Sequence, residues 1–268
     1  MKTLLESLIP LVKTAAQEEL MRRFADTQRR YKADGSIVTE ADLAMQDRLI
    51  RELAVLTPEY RLLGEEMSDK EQQALLADAG RGLWCLDPLD GTSNYACGIP
   101  YFGVSLALLV GSQPVMGMVY DPIRDECFAA IKGEGAWLNG ESIACRESGL
   151  PLGKAMAVVD LKRLGGMAGT IALRPPFSSQ RNFGSVALDW AWLAASRFHV
   201  YLHGLQKPWD YAAGALILAE AGGYSETLDG QTIFGSELKP RSVVAAVDGR
   251  LFQEWKAWLA LHKPLNAR

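Results

Sequence analysis

The 268-residue sequence is short of several things, and each shortage excludes something. It has four cysteines, Cys85, Cys97, Cys127 and Cys145, none in a Cys-x-x-Cys spacing. That speaks against a zinc site or a disulfide framework and for reduced thiols. It has no basic tract, and its net charge is −4. A phosphate-tracking nucleic-acid surface is therefore not expected. No apolar run reaches the roughly 18 residues of a membrane span. The first 24 residues, MKTLLESLIPLVKTAAQEELMRRF, carry charge throughout and lack an apolar core followed by a small-residue cleavage site. They read as an amphipathic helix over about 3 to 28, not as a signal peptide. A Gly-x-Ser-x-Gly nucleophile elbow is also missing. The expectation is a soluble cytoplasmic protein with no nucleic-acid or membrane partner.

What is present is an ordinary globular balance, 49% hydrophobic and 22% charged residues, enough for a sizeable core. Thr39 is the expected N-cap of a helix carrying Leu43, Leu49, Ile50, Leu53 and Leu56, with Asp42 at its third position as a capping-box partner. Asp34-Gly35-Ser36 reads as the turn before it. YRLLGEE is a short strand ending at Gly64, and residues 68 to 78 form a surface helix. From 83 to about 143 the chain reads as a β-meander, with tight turns at Gly111-Ser112 and Asn139-Gly140. After a boundary near 145 to 155 the style becomes alternating β and α, ending in a helix over GRLFQEWKAWLALH. The domain expectation is an α+β part over 1–148 with an antiparallel sheet, an α/β part over 149–268, and a site between them.

The informative stretch is WCLDPLDGTSNY, residues 84 to 95. An apolar strand runs into two aspartates, Asp87 and Asp90, separated by Pro88-Leu89 and followed by Gly91-Thr92. Two neighbouring carboxylates repel, and burying them unpaired is costly, so a cation belongs there. Glu65 stands after the preceding strand and Asp210 at the start of a later helix. Strand ends and helix starts are where open α/β sheets collect ligands. An oxygen-only donor set with no histidine or cysteine nearby suits magnesium, manganese or calcium. If Asp87 bridges two ions, they lie roughly 4 Å apart, the spacing of two-metal phosphoryl hydrolysis. Gly91 permits close backbone approach, and Thr92 offers donors to a phosphate. Pro88 is read as the corner that aims Asp87, the Leu89 carbonyl and Asp90 at one point. Taken singly, each acid has a plainer reading as a turn residue, an exposed strand end or a helix cap.

Together, GEE at 64–66, WCLDPLDGTSNY at 84–95 and WDYAAGALILAEAGG at 209–223 resemble the inositol monophosphatase family, with DGSIVTEAD and GSVALD in support. The resemblance covers about residues 32 to 223 in family order. It implies a five-layer α/β/α/β/α sandwich of the inositol monophosphatase and fructose-1,6-bisphosphatase type. It implies two or three magnesium ions, lithium sensitivity and a homodimer. Glu65, Asp87 and the Leu89 carbonyl would hold the first metal; Asp87, Asp90 and Asp210 the second; Glu65 would share a third. Gly91 and Thr92 would bind phosphate, and the Thr92–Asp42 pair with Glu65 would serve catalysis. Asp90, Asp210, Ser185 and His203 are the expected substrate contacts.

The implied reaction is hydrolysis of inositol 1-phosphate or a similar small polyol phosphate. Histidinol phosphate, fructose 1,6-bisphosphate and 3′-phosphoadenosine 5′-phosphate are the alternatives. A non-catalytic regulatory relative is the reading from another class. It would be expected to lack at least one of Glu65, Asp87, Asp90, Thr92 and Asp210, and all are present. Two features depart from the family pattern. Position 203 is histidine where many inositol-phosphate hydrolases have glutamate, so His203→Glu is expected to favour inositol 1-phosphate. Residues 161–180 are short, with Gly and Pro where a helix is expected. Lys32 is read as a lid over the site.

Overall fold

The structure is a computed structural model, and it describes residues 1–24, 29–32, 35–77, 82–234 and 239–262. Its backbone is two sheets with helices outside and between them. The first sheet has seven strands in the order β3-β4-β5-β6-β7-β8-β9: β3 Arg61–Gly64, β4 Leu83–Asp90, β5 Gly103–Val110, β6 Gln113–Asp121, β7 Glu126–Ile131, β8 Gly135–Leu138 and β9 Glu141–Ile143. The second has five, β11-β10-β12-β14-β13: β10 Met156–Asp160, β11 Ser179–Arg181, β12 Val200–Gln206, β13 Tyr224–Glu226 and β14 Arg241–Ala246. A small hairpin pairs β1 Arg30–Tyr31 with β2 Ile37–Val38.

Alternation along β4 explains the layering. Trp84 and Leu86 join a core with α1 (Lys2–Ala15) and α2 (Glu40–Leu56), whereas Leu83 and Cys85 face the other way. That opposite face meets α6 (Val186–Ala194) and α7 (Pro208–Glu220). These two helices also pack on the second sheet, as does α8 (Gly249–Leu261), while α5 (Gly166–Leu173) adds Met167 and Ile171 to the same core. The result is the α/β/α/β/α order. Close approach in the middle layer depends on Gly117 of β6, where a Cβ would lie 2.9 Å from the Ala213 Cα of α7.

Four details differ from the sequence reading. The first helix does not run to 28. After Ala15 the chain makes one wide turn, Ala16–Leu20, and one tight turn, Met21–Arg23, before extending at Phe24. The Tyr95 hydroxyl donates to the Leu20 carbonyl at 2.7 Å, giving that helix-end acceptor a partner from outside the helix. Residues 25–28 of the expected helix, Asp34 of the expected turn and residue 78 of the surface helix lie outside the described residues. The meander over 83–143 is antiparallel as expected, but the sheet of the first part is not antiparallel throughout, because β3 joins its edge in parallel with β4. A helix does form within 161–180: α5 starts after Gly165 and ends before Arg174-Pro175, where proline disfavours a helical conformation of the residue before it. Finally, Asp87-Pro88-Leu89-Asp90 is not a turn beyond the strand; β4 runs through all four residues. The capping box of Thr39 and Asp42, the two tight hairpins and the C-terminal helix are found as expected.

Candidate active site

The two aspartates of β4 face one point because the strand miscounts. Asp87 pairs with Ser105 on β5, but Asp90 pairs with Gly103. Three steps on β4 thus match two on β5, leaving one extra residue in the Pro88-Leu89 segment. In a regular strand, residues three apart point to opposite faces. A one-residue bulge cancels that and re-aims a side chain. Proline, which cannot donate to a ladder, is tolerated at such a place. The Leu89 N–H turns inward to donate to Asp87 Oδ1 at 3.0 Å.

Glu65 follows β3, and its N–H donates to the Leu86 carbonyl at 3.1 Å, which extends the β3–β4 pairing. Its loop is held from two sides. Gln72, on α3 (Asp69–Ala77), donates from Nε2 to the carbonyls of Gly64 and Glu65, each at 3.1 Å. Gln46 of α2 accepts the Glu66 N–H at 3.0 Å. Asp210 is the third residue of α7, where its Oδ2 accepts the Lys207 N–H at 2.7 Å. Ser105 donates to the Trp209 carbonyl at 2.8 Å and pins that helix start to β5.

One carboxylate oxygen from each of Glu65, Asp87 and Asp210 lies within 4.8 Å of the others. Asp90 stands beside this trio with its Oδ2 already engaged. It accepts from the Ser185 hydroxyl and, at 2.7 Å, from the Ala187 N–H at the start of α6. Ser185 therefore caps α6 and holds Asp90. Thr92 opens α4 (Thr92–Ala96) behind Gly91, whose φ of +92° is left-handed. A Cβ on Gly91 would lie 3.1 Å from the Tyr101 carbonyl. The Thr92 hydroxyl is 3.0 Å from Asp42 Oδ1 and 2.9 Å from the Leu89 carbonyl oxygen.

Burial, reinforced by the charges of Glu65, Asp90 and Asp210, pushes the Asp87 carboxyl well above its ordinary range. Asp210 is pushed up in the same way by burial, Glu65 and Asp90. Asp90 rises to about 6 through burial, opposed by its bonds from Ser185 and Ala187. Asp42 also rises to about 6 through burial, against the bonds from Thr39 and Thr92. The Lys32 ammonium answers part of this charge, lying 3.2 Å from Glu65 Oε1 and 2.7 Å from Glu66 Oε1. An oxygen-only set of like charges, with Asp87 and Asp90 buried and Glu65 and Asp210 half-buried, fits a hard divalent cation, which turns the repulsion into coordination.

Lys32, Glu65, Asp87, Asp90, Thr92 and Asp210 line one cleft of about 730 Å³, together with Gly91, Ser93, Asn182 and Trp209. Ser185 and His203 both reach it. His203 is buried and paired with Asp160 at 3.1 Å, not turned to solvent or to a backbone carbonyl. Asp160, Asp189 and Gln72 are among the lining residues that the sequence did not single out. Asp160 sits at the end of a parallel strand, the placement that drew attention to Glu65. Asp189 belongs to GSVALD, where it is buried on α6 with its Oδ1 accepting the Tyr101 hydroxyl at 3.1 Å. Gln72 lies in a polar helix with no periodic signal. Among the described residues, no helix is long and apolar enough to cross a membrane.

Comparison with known proteins agrees with this geometry. The model of the inositol monophosphatase family matches residues 1–262. An inositol-1-monophosphatase of Mesorhizobium japonicum is 34% identical over 263 residues, 94% of each chain. The Thermotoga maritima IMPase structure superposes with a TM-score of 0.83 at 26% identity, covering 97% of each chain. An IMPase/NADP phosphatase complexed with Mg²⁺ and phosphate gives a TM-score of 0.79 at 26% identity, over 96% of this chain and 95% of that one. With the acidic cluster, the bulged β4 and the five-layer order all in place, the chain belongs to the inositol monophosphatase family and is a phosphomonoesterase.

Proposed function

We propose that this phosphomonoesterase hydrolyses inositol 1-phosphate or a similar small polyol phosphate, and that it does so with magnesium. The observation that carries the reading is the convergence of Glu65, Asp87 and Asp210 beside Asp90 and the Thr92–Asp42 pair. Glu65, Asp87 and the Leu89 carbonyl would hold one ion, Asp87, Asp90 and Asp210 a second, and Glu65 would share a third. Ions bound there supply positive charge for the phosphate and acidify the attacking water.

The chain's own groups do the rest. Gly91 and Thr92 offer backbone N–H groups to phosphate oxygens, in an arrangement that needs no reorganisation during reaction. Glu65 and the Asp42–Thr92 pair orient the attacking water and accept its proton. Ser185 keeps Asp90 in place, and the cleft wall beyond it receives the alcohol. The family resemblance supports lithium inhibition and a homodimer. We also read 1–148 and 149–268 as two structural parts of one folding unit, because the core between the sheets draws on both.

The test is phosphate release from inositol 1-phosphate, histidinol phosphate, fructose 1,6-bisphosphate and 3′-phosphoadenosine 5′-phosphate, each with magnesium, with EDTA and with added lithium. Magnesium-dependent release with the highest kcat/KM on inositol 1-phosphate supports the reading. A best substrate elsewhere on the panel moves the assignment to that ester. Light scattering on the same preparation reads the oligomeric state.

A further inference from the structure

One wall of the cleft carries a pair that the phosphate chemistry does not use. Asp160 ends β10, and His203 lies in register with it on the parallel neighbour β12. His203 Nδ1 accepts the Leu205 backbone N–H at 3.2 Å. That bond fixes the neutral ring as the Nε2–H tautomer. Nε2 then donates to Asp160 Oδ2 at 3.1 Å. Both ring nitrogens are satisfied, so the imidazole has no acceptor left for a substrate hydroxyl.

Asp160 does have acceptors left. Its Oδ1 takes the Lys162 N–H at 2.9 Å and its Oδ2 takes the His203 proton. A carboxylate offers about four lone-pair sites, so about two remain, and the side chain is 16% exposed at the cleft. The bond from His203 holds the Asp160 carboxyl below its ordinary range, which keeps it an ionised acceptor. Its neighbours on the same wall, Lys162 and Arg163, disfavour an ammonium ligand there. An anchored carboxylate among cations suits neutral O–H donors.

We propose that Asp160 is the specificity-determining contact for hydroxyl groups on the alcohol half of the substrate, and that His203 is its positioning residue. This rests on the phosphomonoesterase reading above and deepens it. The carboxylate expected at position 203 is supplied instead from the adjacent strand.

The experiment compares wild type, Asp160→Asn, His203→Leu and His203→Gln at saturating magnesium. The two esters are myo-inositol 1-phosphate and phenyl phosphate, which has no hydroxyl. The readout is the ratio of kcat/KM on the two esters, which cancels any loss of folded enzyme. Wild type is expected to prefer the inositol ester. Asp160→Asn and His203→Leu are expected to cut that preference roughly tenfold, mainly through KM. His203→Gln, which keeps a donor near Nε2, is expected to restore most of it. An unchanged ratio in Asp160→Asn, or a wild type with no preference for the inositol ester, overturns the assignment while the phosphatase reading stands. No magnesium-dependent release from either ester by wild type overturns both. Phosphoethanolamine outpacing glycerol 2-phosphate, with Asp160→Asn reversing the order, overturns the hydroxyl in favour of an ammonium.

Discussion

Thr92 presents its hydroxyl 3.0 Å from Asp42, 50 positions upstream, and 2.9 Å from the carbonyl of Leu89. One hydroxyl has one proton, so Thr92 donates to one of these oxygens at a time. The arrangement links a helix cap to a carbonyl of the β4 bulge next to the acidic cluster. Thr92→Ala is expected to lower kcat by about 10²-fold while shifting the magnesium midpoint much less. Equal loss in both, or an unchanged kcat, would remove Thr92 from the chemistry.

Asp87 is buried among like charges, so metal and stability are linked. In EDTA, added magnesium is expected to raise the melting temperature. At about 100 times Kd the gain is about 2.7 kcal/mol, or several degrees for a chain of this size. Asp87→Asn is expected to melt higher than wild type in EDTA, lose the magnesium response and lose turnover. A magnesium shift that survives the substitution would place the ion elsewhere.

Asp189 gives the clearest pH dependence. Burial first, and then the charge of Asp90, raise its carboxyl well above the ordinary 3.8. The folded state therefore holds this proton more tightly than the unfolded state does. The resulting contribution is fully present below about pH 4 and is lost as pH rises towards the folded value. Asp189→Asn keeps an acceptor for the Tyr101 hydroxyl without the charge. In EDTA at pH 7 it is expected to gain on the order of 1–2 kcal/mol, with the gain fading below about pH 4. A gain that is flat with pH would point to packing instead of charge.

Gly91 adopts φ +92° with the Tyr101 carbonyl 3.1 Å from where a Cβ would stand. Gly91→Ala is expected to cost about 1–2 kcal/mol and to raise KM for any phosphomonoester. Denaturant melts and initial rates read both effects. A neutral result in both would mean that the loop yields.

Structure changes what is expected of His203→Glu. A glutamate there would face Asp160 across the present 3.1 Å contact and remove its hydrogen-bond donor. Like charges that close disfavour double ionisation. The variant is expected to lower selectivity for inositol 1-phosphate, not to raise it. Improved kcat/KM on that ester would show that the two carboxylates accommodate one another.

Much of this site was legible in the sequence because its residues stand at punctuated positions. Glu65 follows a glycine that ends a strand, Asp210 follows a proline that starts a helix, and Thr39 with Asp42 spells a capping box. The bulge was not legible. Asp-Pro-x-Asp reads as a turn, and only pairing with β5 shows that the strand continues through it. The partner of His203 was hidden for a similar reason, since 43 positions separate it from Asp160 and only the register of β10 with β12 joins them. At the early end of the first helix, the partner of the Leu20 carbonyl is Tyr95, far along the chain.

The bulge in β4 makes residue count matter as much as residue identity. Exchanging Leu89 for another apolar residue leaves both aspartates aimed as they are, since the Leu89 contacts that matter are made by its backbone. Removing one residue between Asp87 and Asp90 would leave the two carboxylates on one face of a regular ladder, but it would remove the bulge that turns the Leu89 N–H towards Asp87 and its carbonyl towards Thr92. A chain with that deletion would keep its acidic residues, nearly all of its composition and most of its hydrophobic pattern, yet it would lose the inward backbone groups that hold Asp87 and Thr92. Spacing, more than side-chain content, is therefore the heritable element of this segment.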